Sequence, residues 1–104
     1  MAITNNAPAT INATTGSVLY TFTFNEAVTG FSAANVVVSN GLKGTFTALS
    51  STVYTLQITP NAATAGQLSV SVAAGAASDS SGNKSLGATS LVAIDTIPPT
   101  QTVT

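Results

Sequence analysis

Seven side chains could take part in chemistry that moves a proton or holds an ion: Glu26, Asp79, Asp95, Lys43, Lys84, Tyr20 and Tyr54. The chain has no histidine and no cysteine. Imidazole acid–base chemistry, thiolate nucleophiles, thiolate metal sites and disulfides are therefore excluded. A pair of carboxylates can still act as acid and base, but no lid or deep pocket is legible around these three acids, so the chain reads as non-catalytic. The densest group of oxygen donors is Asp79-Ser80-Ser81-Gly82-Asn83. A carboxylate, two hydroxyls and an amide beside a flexible glycine are hard ligands of the kind calcium takes. The same residues also suit a plain turn in which Asp79 accepts hydrogen bonds from its own backbone. Lys43 and Lys84 both sit among glycine and turn residues and read as solvated. An isopeptide cross-link, which would need a lysine beside an asparagine and a buried acid, is not expected. Asn12-Ala13-Thr14 and Asn83-Lys84-Ser85 match the N-glycosylation pattern, but so short a match arises readily in a chain this rich in Asn, Thr and Ser.

The elements that must position these groups are strands. Val18, Tyr20, Phe22 and Phe24 alternate with Leu19, Thr21 and Thr23, the period of a strand with one buried face. That strand runs directly into Asn25–Phe31, the loop that carries Glu26. Similar alternation marks 36–39, 45–49, 53–59, 67–72 and 89–94, with Tyr54, Leu56 and Ile58, and then Leu68, Val70 and Val72, turned inward. Residues 2–14 read as an edge strand broken at Pro8, which lacks a ladder donor. Ser32–Asn35 suits one helical turn capped by Ser32. Asn40-Gly41, extended by Lys43-Gly44, reads as a turn. Prolines 98 and 99 end the last strand. About seven strands at this spacing, with turn residues between them, predict an all-β fold, a seven-stranded antiparallel immunoglobulin-like β-sandwich. A barrel is the alternative architecture.

Length and composition agree with one domain. The 104 residues carry 5% charged side chains and a net charge of -1, so there is no electrostatic footprint for nucleic acid or anionic lipid. Thr, Ser and Asn must supply the polar surface instead. No stretch reads as a signal peptide or a membrane span.

In a sandwich of this kind the loop after the second strand and the loop before the last lie at one end, which places Glu26 near Asp79. Asp95 then lies at the other end. Only in a tandem array would the Asp95 of one copy approach the Glu26 and Asp79 of the next.

Phe22-Thr23-Phe24-Asn25-Glu26-Ala27-Val28-Thr29-Gly30-Phe31-Ser32-Ala33-Ala34-Asn35-Val36-Val37-Val38 resembles the "tFtFsEaVtgFtaadv.v" signature of bacterial immunoglobulin-like repeats. Asn40-Gly41, Gly44-Thr45-Phe46, Tyr54-Thr55-Leu56, Thr59-Pro60, Val70–Gly75, Asp79–Asn83 and Asp95–Pro99 continue the resemblance in order along nearly the whole chain. The resemblance implies a structural extender repeat of a large bacterial surface or secreted adhesin or biofilm protein, whose partners are neighbouring repeats and whose single copy is a monomer. A carbohydrate- or protein-binding module is the alternative function. The resemblance also implies that Glu26, Asp79, Asn83 and Asp95 are candidate calcium ligands at repeat junctions. Asn25 and Asn35 stand where family members often carry Ser and Asp, and the loss of an acid at position 35 weakens that ligand set. The repeat phase implied is a domain over 1–97, with 98–104 as linker and start of the next repeat's first strand. Residues 100–104 are then expected to be disordered or to pair with a neighbouring molecule.

Overall fold

The computed structural model describes residues 2–8, 10–12 and 15–97; the expected linker at 98–104 lies outside them. Two four-stranded sheets face one another. The first holds β1 (Ala2–Asn5), β3 (Val18–Thr23), β7 (Val53–Pro60) and β6 (Gly41–Ala48) in the order β1-β3-β7-β6. The second holds β2 (Thr10–Asn12), β10 (Ala88–Asp95), β8 (Ala65–Val72) and β5 (Val36–Ser39) in the order β2-β10-β8-β5. A small ribbon pairs β4 (Val28–Thr29) with β9 (Ser78–Asp79). This is the all-β sandwich expected.

It differs from the expectation in two respects. Ten strand segments form among the described residues, rather than seven. The first strand is split around Pro8, its halves joining opposite sheets, and the β4–β9 ribbon is too short to show any period. The pairing is also not wholly antiparallel, because β2 runs parallel to β10. Having crossed to the second sheet without reversing, β2 meets a strand that runs in its own direction.

Alternation decides the core. Val18, Tyr20, Phe22 and Phe24 are buried, as are Leu56 and Ile58 of β7, and they close on Leu68, Val70, Val72 and Ile94 of the other sheet. Burying a side chain of this size contributes about 1.5–3 kcal/mol. The outer face of the first sheet is lined instead by threonine. Thr4, Thr21, Thr55 and Thr47 stand opposite one another in an unbroken row across all four strands. β-Branched side chains suit this pleated surface, and their neighbours leave Thr55 only 9% exposed.

The turn expected at Asn40-Gly41 and Lys43-Gly44 is a correction. The reversal is confined to Asn40, whose φ of 65° is tolerated by asparagine, and Gly41 already belongs to β6. Lys43 and Phe46 flank a register shift within that strand. Lys43 is not merely solvated. Its Nζ donates to the carbonyls of Ala33 at 2.9 Å and Val36 at 3.0 Å. A side chain from the edge of one sheet thus satisfies carbonyls at the edge of the other. Ser32–Asn35 forms the expected turn as a single 3-10 turn at Ala33–Asn35, in which Asn35 Oδ1 accepts from the Ser32 N–H at 2.8 Å.

Gly41 has no room for a side chain. A Cβ there would stand 2.8 Å from Leu68 Cδ1 and 2.9 Å from Ile58 Cγ2. Gly41→Ala is expected to cost about 1–3 kcal/mol by overpacking, and Lys43→Met about 1 kcal/mol through its two lost hydrogen bonds. Urea melts with an unchanged m-value are the check on both.

Candidate functional site

The Glu26 loop is held from beneath by an aromatic cluster. Phe31, buried at the loop's far end, packs against Phe22, Phe24, Phe46 and Tyr54, with ring centroids 5.4, 5.3, 5.8 and 5.2 Å away. Tilted and edge-on rings at these separations are the favoured arrangements. The backbone is pinned as well. Phe24 N–H donates to Thr52 O at 2.8 Å, and Val28 N–H donates to Ser51 O at 3.0 Å. Gly30, at φ 86°, makes the bend that returns Phe31 to the core.

The Asp79 loop is a second, independent construction. Asp79 Oδ1 accepts from the N–H groups of Ser81 and Asn83, each at 2.9 Å, and Oδ2 accepts from Asn83 Nδ2 at 3.3 Å. Gly82, at φ 84°, permits so tight a turn. The backbone-bonded turn expected of these residues is formed, and Asn83 Nδ2 serves there as a donor.

The β4–β9 ribbon, with Val28 opposite Asp79, fastens the two loops together. The Glu26 and Asp79 carboxyls come within hydrogen-bonding reach of one another. Asp79, through that contact and its like charge, raises the pKa of Glu26 above its ordinary 4.5. The Asn83 backbone N–H is the main cause that holds Asp79 below its ordinary 3.8, with the Asn83 amide and the Ser81 N–H adding to it. Glu26, Asp79 and Asn83 therefore share one pole of the sandwich, with Lys84, Ser85 and Leu86 beside them around a shallow cleft of about 210 Å³. Asp95 does not join them. It ends β10 opposite Ala65, roughly 23 Å away along a strand rising about 3.3 Å per residue. Among the described residues no three acids, histidines or cysteines converge.

A second cleft of about 210 Å³ lies at the Asp95 pole, between Asn12, Gly16, Pro60, Asn61 and Thr96. Both are smaller than the roughly 300 Å³ at which small-molecule pockets begin. The six aromatic residues all lie in the core or packed against it, so none forms an exposed platform for a sugar ring. Tyr20 is wholly buried. Its hydroxyl has no hydrogen-bond partner at bonding distance, and burial pushes its pKa up, with nearby Ser90 only tempering the effect.

The order of strands along the chain is enough to put Glu26 and Asp79 at one end, whereas the ribbon that joins their loops and the aromatic hub at Phe31 emerge only in the fold. The phenylalanine spacing was visible, but Phe31 stood outside any alternating run.

The architecture is a two-sheet immunoglobulin-like sandwich with two polar loops paired at one pole. A family model described as "Bacterial Ig-like domain" matches residues 1–96. The chain belongs to the bacterial Ig-like domain family. Domains of this family are generally non-catalytic and commonly occur in extracellular or surface proteins. Neither the curated proteins nor the solved structures contained a match.

The carboxyl pair gives two opposite pH effects. Asp79 is more acidic folded than unfolded, so its contribution is complete above about pH 4 and is lost as the pH falls through its folded pKa. Glu26 is less acidic folded, so its effect is favourable at low pH and is lost as the pH rises through its raised pKa. Without divalent cations and at low salt, Glu26→Gln is expected to raise Tm at pH 7 and to leave it unchanged near pH 3. Asp79→Ala is expected to lower Tm at pH 7, with the difference shrinking in acid. Differential scanning fluorimetry across pH 3–8 reads both.

Proposed function

We propose that this domain is an extender: one of a tandem series of repeats that spaces an anchor from a ligand-binding tip in a large bacterial cell-surface or secreted adhesin or biofilm protein. One observation carries the reading. The chain enters and leaves at opposite poles. Ala2 opens β1 opposite Thr23, beside the Glu26 loop, whereas β10 delivers the chain to Asp95, Thr96 and Ile97 at the far pole. Copies joined head to tail would lie end to end, each adding its own strand length to a rod. The near-absence of charge suits this use, because a threonine-faced module neither attracts nor repels other macromolecules strongly. The alternative, a carbohydrate- or protein-binding module, has the internal aromatics against it.

Neighbouring repeats are the natural partners, and a single copy is read as a monomer. At each junction the Asp95 pole of one repeat would meet the Glu26–Asp79 pole of the next. Calcium is the cation those carboxylates suit. Within one copy Glu26, Asp79 and Asn83 offer only part of the shell of about six to eight oxygens that it takes, and Asp79 Oδ1 is already engaged by two N–H groups. A neighbour's Asp95 would add to that shell, and a bound cation would replace the hydrogen bond and offset the like charge of Asp79 that raise the Glu26 pKa.

Two copies joined head to tail through residues 98–104 provide the test. Small-angle scattering is expected to give a rod about twice the length of one domain; a compact, side-by-side pair would overturn the extender reading. Calcium is expected to raise the Tm of the joined pair, chelator to reverse the gain, and Glu26→Gln to abolish it. A pair indifferent to chelator would remove the junction cation while leaving the extender reading intact.

A further inference from the structure

We infer that Asn40-Gly41 is a site of self-modification that the native fold holds in check. Once the β5–β6 turn opens, the pair deamidates, and the product no longer fits the sandwich.

The structure selects each residue of the pair. Asn40 reverses the chain at φ 65°, a conformation that asparagine tolerates and most residues do not. Its Nδ2 donates to Gln67 O at 2.8 Å, tying the turn to β8. Gly41 lies between the sheets. A Cβ there would meet Leu68 Cδ1 of the second sheet at 2.8 Å, and Ile58 Cγ2 and Thr59 O of the first at 2.9 and 3.2 Å. The fold therefore favours asparagine followed by glycine. Asparagine is a chemically labile residue, and glycine, with no side chain to shield its nitrogen, is the follower that least hinders attack on it.

The reaction is a ring closure. The Gly41 backbone nitrogen gives up its proton and bonds to Asn40 Cγ; the Cγ–Nδ2 bond breaks, and ammonia leaves with that proton. The five-membered imide then takes up one water, which opens it on either side. One product keeps the normal main chain and carries an aspartyl carboxyl. In the other, the isoaspartyl form, the main chain runs through the former side chain and is one methylene longer. Only water is consumed.

In the native turn both reacting groups are held. Gln67 O anchors the side-chain amide. The Asn40–Gly41 peptide is anchored by Asn61, whose N–H donates to Asn40 O at 2.9 Å, and Gly41 stands opposite Pro60 in the β6–β7 ladder. Closure needs the amide and that peptide to turn toward one another, which breaks both hydrogen bonds.

The products are mismatched to the same surroundings. A carboxylate has no N–H to offer Gln67 O and sets acceptor against acceptor. The isoaspartyl form inserts a methylene beside Gly41, where the neighbouring side chains leave no room. Either form adds a negative charge to a chain whose net charge is -1. A chain that stays open long enough to react is thus marked permanently and returns to a less stable sandwich.

The test follows the wild-type chain at one mildly alkaline pH and one temperature, folded in buffer or unfolded in guanidinium. Mass spectrometry of the peptide spanning residue 40 reads the conversion, and enzymatic methylation locates isoaspartate. Two hydrogen bonds must open before the folded chain can react, so its conversion is expected to be at least about tenfold slower. The Asn40→Asp chain is expected to melt below wild type at pH 7. It should approach wild type as acid protonates the new carboxyl, which can then donate to Gln67 O. Equal conversion rates in the folded and unfolded chains would overturn the inference, as would an Asn40→Asp chain that melts with wild type at pH 7. Both measurements use a single copy and leave the extender reading untouched.

Discussion

The molecule depends on the contact between one face of β3 and the inner face of the second sheet. Val18, Tyr20 and Phe22 are almost completely buried against a floor of Leu68, Val70 and Ile94. With so few charges in the chain, no network of ion pairs could replace that contact. Burial of alternate residues sets the register of β3, and a slip of one residue would bring Leu19, Thr21 and Thr23 inward instead. The register of β3 in turn sets where Phe24 emerges, and hence where the Glu26 loop begins.

At the Glu26 pole the core and the polar loops are a single construction. Phe31 belongs to the loop by sequence and to the core by packing, and its ring contacts with four other aromatics hold the loop down. The Asp79 turn needs no such anchor, because its carboxylate organises its own backbone. The β4–β9 ribbon then sets two carboxylates side by side in a chain with only three acids. The hydrogen bond with Asp79 and its like charge raise the Glu26 pKa, while the same contact helps to lower that of Asp79. The placement of scarce acids at the two poles is the feature that a junction between copies would use.

The split first strand ties the two sheets together. Pro8 cannot continue a ladder, and at that break the chain passes from the edge of one sheet to the edge of the other. Both sheets thereby receive part of the first strand, and Ala2 and Asp95 are left at opposite poles. Edge strands are usually liabilities. Here the short β1 and β2 segments protect two edges, and Lys43 covers carbonyls beside a third, on β5.

The strand pattern, the inward residues of β3, β7 and β8, the break at Pro8, the turn at Ser32–Asn35 and the closeness of Glu26 to Asp79 were all legible in the sequence. Each follows from local chemistry: a period of two, a missing N–H, a capping residue, or the chain order that such a pattern implies. Tertiary structure alone decided the parallel β2–β10 pair, the β4–β9 ribbon, the reach of Lys43 across the open edge and the place of Phe31 at the aromatic hub. These rest on single residues or segments of two or three, which are too short to carry a period. Their partners stand far off in the chain, and only the packed sheets bring them within bonding distance.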